Sequence, residues 1–183
     1  VLPSLIQDAH NLSFKVLEEK LQYSKAYVAQ KNRSSGGFGT FYITRDNNIL
    51  SYIHETCNEL LIVSPYIENN LSINVTALIS EKQFTYFPAS LQIVEEDDNR
   101  LIYHGADFIS IRNLSFELHS KINNYSEIIL TRLKSLGYRG IIGIDFIIKG
   151  NDVYFLELNP RYQASSFLID AALTSQGYCD LTE

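Results

Sequence analysis

Two apolar runs near the C-terminal end, Ile141 to Ile148 and Val153 to Leu158, flank Lys149-Gly150-Asn151-Asp152 and restrict the fold more than any other stretch. Apolar, β-branched segments on either side of a Gly-Asn pair form the pattern of a β-hairpin. A three-residue loop, Gly150 to Asp152, sets Lys149 opposite Val153 and Asp145 opposite Glu157, with Cβ atoms roughly 4.5–5.5 Å apart. A two-residue loop puts the two acids on opposite faces. Carboxylates held that close in a half-buried site repel unless a cation lies between them. Asn159, two residues beyond Glu157, shares its face and adds a neutral carbonyl oxygen. Two carboxylates and an amide suit Mg²⁺ or Mn²⁺, which keep waters and take further ligands from phosphates. Arg161 places a planar cation at the rim, fitted to a phosphate or carboxylate. Taken alone, an acidic pair in a hairpin more often faces solvent.

A second hairpin lies near the other end. Ala26 to Gln30 reads as a short strand and Phe41 to Thr44 as another, separated by Lys31-Asn-Arg-Ser-Ser35-Gly36-Gly37-Phe-Gly39-Thr40. The exposed backbone N–H groups of such a Ser/Gly loop can close over phosphates. Glycine-rich hairpins without ligands are also common, so this loop gains meaning from its company.

Glu157-x-Asn159-x-Arg161, preceded by Asp145 and by the glycine loop, resembles the ATP-grasp superfamily. The continuation Tyr162-Gln-Ala-Ser165-Ser166 looks most like its branch of carbamoyl-phosphate synthetases, biotin carboxylases and amino-acid ligases. The resemblance implies an α+β fold of two lobes whose antiparallel sheets clasp ATP, with residues 1–63 as the N-lobe, 64–67 as the hinge and 68–183 as the C-lobe. It implies a metal on Asp145, Glu157 and Asn159 and nucleotide phosphates at Ser35, Gly36, Gly37 and Gly39. Main-chain groups of Ser64, Pro65, Tyr66 and Ile67 would meet the adenine edge, and Arg161 would act on the acceptor carboxylate or acyl-phosphate. The family places a basic residue on the strand before the glycine loop. Here the usual interval lands on Gln30, with Lys31 one position later and therefore on the other face of a regular strand. Glu68 and Asn70 stand where the family often has an acidic ribose partner. By resemblance the activity is an ATP- and Mg²⁺-dependent ligation of a carboxylate and an amine. A nucleotide-binding module without catalysis is the alternative, favoured by the displaced lysine.

The rest of the chain is ordinary by comparison. A helix is expected after Asn11 or Ser13, a long strand over Leu71 to Ser80, and short strands and loops between Phe84 and Ile111. A helix from Asn113 to Leu136 is expected to carry its stripe on Leu118, Ile122, Tyr125, Ile129, Leu133 and Leu136 and to end at Gly137. Another helix is expected over Ala164 to Leu173. Glu95-Glu-Asp-Asp98 reads as a solvated loop, and His104 as structural or solvated. At 183 residues the chain can bury a sizeable core. Its net charge of -6 argues against nucleic acid and anionic membrane as partners. Cys57 and Cys179 have no ligand-like spacing, and no apolar run reaches the roughly 18 residues that span a bilayer. A cytoplasmic setting is the expectation. Six Asn-x-Ser/Thr sequons, at Asn11, Asn32, Asn70, Asn74, Asn113 and Asn124, are the number an asparagine-rich chain carries by chance. A chain without methionine that opens Val-Leu-Pro is expected to be a fragment or processed chain. By the same resemblance a preceding α/β domain would help build the substrate pocket.

Overall fold

The computed structural model describes residues 3–21, 23–32 and 39–177. The fold is α+β, and the chain divides into two compact units, Val1–Glu68 with Val94–His104, and Asn69–Ile93 with Gly105–Glu183.

In the first unit, strands β1 (Leu5–Asp8), β2 (Ala26–Lys31), β3 (Thr40–Thr44) and β4 (Leu60–Pro65) form an antiparallel sheet in the order β1-β4-β2-β3. Helices α1 (Phe14–Lys20) and α2 (Ile49–Thr56) supply the other side of its core. Ser13 caps α1 by accepting from the Val16 N–H; such a cap contributes about 1 kcal/mol. Leu17 of α1 and Ile53 of α2 pack against Tyr27, Ala29, Phe41 and Ile43, all buried. His54 on α2 donates from Nε2 to the Leu12 carbonyl at 2.8 Å and ties that helix to the entrance of α1. The sequence pattern had not revealed α2, because its two buried residues, Ile49 and Ile53, make too short a stripe.

In the second unit, β5 (Leu71–Ile79) lies between β7 (Ser90–Asp97) and β9 (Gly140–Lys149), and β10 (Asp152–Asn159) pairs with the far side of β9. The short β6 (Phe84–Tyr86) pairs with the end of β5. Every pairing is antiparallel. Strict alternation sorts β5 and β9 into two faces. Ile73, Val75, Ala77, Ile142, Ile144 and Phe146 point into the core, where α3 (Phe116–Ser135) meets them with Leu118, Ile122 and Leu130. The spacing of four along α3 carries Ser126 into the core, while Tyr125 and Leu136, both expected on the stripe, turn outward. Gly137, at φ +88°, ends α3. Its N–H donates to the Lys134 carbonyl and that of Tyr138 to the Leu133 carbonyl, the paired bonds of a Schellman cap.

Between Phe84 and Ile111 the expected short strands are longer. β7 and β8 (Arg100–Asp107) form a hairpin whose turn residues, Asp98 and Asn99, sit at φ 46° and 60°, the double left-handed backbone of a type I′ turn. The acidic run is the exposed end of β7 and its turn, rather than a free loop.

Ile144 is fully buried beneath the β5–β9 pairing and Leu136 is 65% exposed. Ile144→Ala is therefore expected to lower unfolding stability by about 2–5 kcal/mol, and Leu136→Ala by less than about 0.5 kcal/mol. Urea unfolding followed by circular dichroism checks both; equal effects would contradict the assignment of the core face.

Candidate functional site

The opposite face of the second sheet is polar where a sheet of this burial is usually apolar. Ser90, Asn74 and Asp145 lie in one row across β7, β5 and β9, since Asn74 pairs with both of the others. Glu157 of β10 completes the row opposite Asp145. Asn74, Ser90 and Asp145 are buried.

The opposition of Asp145 and Glu157 arises differently from the expectation. Lys149 pairs with Asp152, so the loop is the two residues Gly150 and Asn151, with Gly150 at φ +58°; positive φ at the first central position is the type II′ requirement. In an unbroken ladder that turn would face Asp145 with Leu156. A bulge between Phe155 and Glu157 leaves Leu156 without a counterpart and brings Glu157 opposite Asp145. One extra residue on one strand shifts all pairing beyond it by one position, which is how a bulge re-aims side chains.

Five amide and carboxylate groups then converge. Asp145 Oδ1 accepts from Asn74 Nδ2 at 2.5 Å and from Gln92 Nε2 at 3.2 Å, and Oδ2 accepts from Asn159 Nδ2 at 2.9 Å. The Asn159 nitrogen also donates to Glu157 Oε1 at 3.0 Å, so it bridges the two carboxylates. Arg161 Nη2 donates to Asn159 Oδ1 at 3.3 Å. Thr76 Oγ1 donates to Asn74 Oδ1 at 3.0 Å, and Ser72 Oγ to Gln92 Oε1 at 2.5 Å. The supporting residues Asn74, Gln92, Thr76 and Ser72 carry no local signal, because their meeting depends on strand pairing across the sheet.

Burial pushes the Asp145 carboxyl up to about 7. The Asn74 donor opposes this, the Glu157 charge and a hydrogen bond to Glu157 add to it, and the Gln92 donor again opposes it. Without a cation, the pair relieves its repulsion by holding a proton and by the bridging amide. The Asn159 nitrogen therefore occupies the position between two acids where a divalent ion is expected, and half a turn of that amide exchanges its nitrogen for its oxygen. Asp145, Glu157 and Asn159 together fit a hard cation in donor type and in placement. They hold no His or Cys, and no cluster of three or more His, Cys, Asp or Glu occurs among the described residues.

Past Asn159 the chain reaches α4 (Ala164–Ser175). Gln163 and Ser166 form a reciprocal cap at its start. The Gln163 side chain lies across Gly143, where an added Cβ would come within 1.2 Å of Nε2. Gly143 lies opposite both Thr76 and Asn159 in the ladder, and a larger residue there would oblige the Gln163 side chain to move.

In the first unit, β2 is regular to its end: Gln30 pairs with Thr40 and Ile62, and Lys31 with Leu61. No bulge brings Lys31 to the face of Gln30. Lys31 shares the face of Tyr27 and Ala29, with Nζ 3.6 Å from Glu59 and 5.9 Å from the Phe41 ring centre. Gln30 lies on the other face with Val28. Ser35, Gly36 and Gly37 lie outside the described residues. Gly39 is buried, and its carbonyl accepts from the Lys31 N–H at 2.9 Å. Ser64 and Pro65 belong to β4, opposite Val28 and Tyr27. The Tyr66 N–H donates to the Ala26 carbonyl at 2.9 Å and its ring stands edge-on to Tyr42 at 4.9 Å. Of the four main-chain positions expected at a base edge, Tyr66 thus has its donor engaged. Ile67 follows directly and is half-buried.

The chain belongs to the ATP-grasp domain family, whose model matches residues 7–165. Over 104 residues it is 33% identical to the carbamoyl phosphate synthase large chain of Thermoanaerobacter pseudethanolicus, covering 55% of this chain and 9% of that protein. Among solved structures it resembles an ADP complex of N5-carboxyaminoimidazole ribonucleotide synthetase, with a TM-score of 0.69, 18% identity, and coverage of 90% of this chain and 41% of that one. It also resembles the D-alanine–D-alanine ligase of Bacillus anthracis, with a TM-score of 0.64, 17% identity, and coverage of 97% and 58%. At such identities the structural likeness establishes the fold, and the chain spans 9% of the curated relative and between two-fifths and three-fifths of these two enzymes. No helix among the described residues is long and apolar enough to cross a membrane.

A carboxyl whose folded value lies above its unfolded one destabilises the fold once ionised. Asp145 rises from 3.8 to about 7, so its contribution is most favourable below the unfolded value, is lost as pH rises from 3.8 to about 7, and is flat above. The full loss is on the order of 4 kcal/mol. Asp145→Asn, measured without divalent metal, is expected to be more stable than the parent at pH 8 by a few kcal/mol on the order of that loss, with the difference shrinking by pH 5. A difference independent of pH in urea unfolding would remove the burial of a titrating carboxyl from the account.

Proposed function

We propose that this domain serves an ATP- and Mg²⁺-dependent ligase that activates a carboxylate as an acyl-phosphate for attack by an amine. The observation that carries this reading is the convergence of Asp145, Glu157, Asn159 and Arg161 on one sheet face. Asp145, Glu157 and Asn159 are the residues to hold Mg²⁺, or Mn²⁺, which when bound supplies positive charge to the phosphates. The substrate carboxylate oxygen attacks the γ-phosphorus, the bond to the β-bridging oxygen breaks and ADP leaves. The amine then attacks the acyl carbon, phosphate departs and the amine loses a proton. Negative charge spreads over several oxygens in the first step, so positioning and fixed positive charge dominate the catalysis. Exposed at the rim and tethered to Asn159, Arg161 fits the role of holding the acceptor carboxylate or the acyl-phosphate. By the family resemblance, the glycine loop before Gly39 would close over the phosphates and the main chain from Ser64 to Ile67 would meet the base. The acid and amine are small molecules, and the class spanned by the relatives' names runs from carbamoyl phosphate synthesis to D-alanine ligation.

A non-catalytic nucleotide-binding module is the second reading, favoured by one observation: Lys31 is turned to Glu59 on the core side, leaving neutral Gln30 on the other face. Titration with a non-hydrolysable ATP analogue, with and without Mg²⁺, followed by an assay of acid-dependent phosphate release, separates the two. Binding without release supports the module.

Glu157→Gln is expected to weaken Mg²⁺-dependent analogue binding by at least about tenfold, or about 1.4 kcal/mol, with the fold retained. Undiminished binding would sink the metal assignment. In the full-length protein, Arg161→Ala is expected to lower acid-dependent phosphate release by about a hundredfold or more while changing analogue affinity little. Parallel losses in both would move Arg161 to nucleotide binding.

A further inference from the structure

The environment of Asp145 is asymmetric between its two oxygens. A carboxylate oxygen has two lone-pair directions, and Oδ1 gives both to amides, of Asn74 at 2.5 Å and of Gln92 at 3.2 Å. Oδ2 accepts from Asn159 at 2.9 Å, on the side of Glu157. Facing an acceptor-only carboxylate, each of these amides turns its NH₂ to Asp145, and its oxygen accepts from a hydroxyl, Asn74 Oδ1 from Thr76 and Gln92 Oε1 from Ser72. The two hydroxyls come from alternate positions of β5, on the polar face of that strand.

We propose that Asn74 and Gln92, oriented by Thr76 and Ser72, are positioning residues that close Oδ1 of Asp145, so that the site takes a divalent cation through Oδ2 alone and discriminates against Ca²⁺. The inference rests on the metal reading proposed above. Mg²⁺ and Mn²⁺ accept single-oxygen carboxylate ligands in a tight octahedral shell, whereas Ca²⁺ takes about 6–8 oxygens and gains from carboxylates that bind with both. An Asp held by two amides on one oxygen cannot rotate to offer the second. Releasing either amide restores that freedom and favours the larger ion.

The test uses the full chain with Mn²⁺ and a non-hydrolysable ATP analogue, and follows bound Mn²⁺ by electron paramagnetic resonance while Mg²⁺ or Ca²⁺ displaces it. In the parent, Ca²⁺ should displace Mn²⁺ about tenfold less effectively than Mg²⁺. Thr76→Val, which removes the hydroxyl at nearly constant shape, and Gln92→Leu should each narrow that ratio by about threefold or more; Thr76→Ser should keep it. Gln92 is half-buried and its variant decides the matter if the buried Thr76→Val chain does not fold. An unchanged ratio in a variant that still binds Mn²⁺ overturns the clamp while leaving the metal site standing. Failure of the folded parent to take up Mn²⁺ overturns the metal reading and the clamp with it.

Discussion

The opposition of two carboxylates across the β9–β10 ladder is the constraint around which the second unit is arranged. Asp145 is 5% exposed and Glu157 lies directly against it, an arrangement that destabilises the metal-free fold. The compensation lies on the other face of the same strands. Ile142, Ile144, Phe146 and Ile148 are buried there against α3, each contributing about 1.5–3 kcal/mol. A strand with a strongly apolar face can carry an acid on its other face, because alternation keeps the two from interfering. The same logic explains why the polar residues of β5, Asn74 and Thr76, are buried in company with an acid rather than in isolation: each has its hydrogen-bonding capacity directed at a named neighbour.

A turn and a bulge act together to set this opposition. The Gly150-Asn151 turn is the tightest that joins two strands, and it alone would leave Asp145 facing Leu156. Without the bulge, Glu157 and Asn159 would project with the core residues and a charged side chain would meet α3. The bulge therefore corrects both the site and the core, and Leu156 matters through its presence as a residue in the count more than through its side chain.

The elements that were legible in sequence are those whose signals are local. Ser13 and Gly137 mark helix ends by their own chemistry, and α3 shows its four-residue spacing over several turns. The hairpin was legible as a hairpin, and the proximity of Asp145 to Glu157 was anticipated through a three-residue loop that the structure replaces with a shorter turn and a bulge. Nothing in Phe155-Leu156-Glu157 marks a bulge, since its residues would suit a regular strand equally well. The full length of β7 and β8 was hidden because their acidic end and His104 break the alternation expected of half-buried strands, whereas an exposed hairpin end tolerates charge. Asn74 and Gln92 were invisible for a different reason. They lie 71 and 53 residues from Asp145, and strand order alone brings them to it.

The first unit shows how firmly a sheet decides which side chain serves which face. Moving Lys31 to the face of Gln30 would require β2 to slip by one residue. That slip would expose Tyr27 and Ala29, now fully buried, drive Gln30 toward the core, and break the Lys31–Glu59 pair. Losing the burial of Tyr27 alone costs more than a partly exposed ion pair returns on the other side. The lysine is therefore committed to the core face, and the outer face of β2 offers an amide, which can donate hydrogen bonds but brings no net charge.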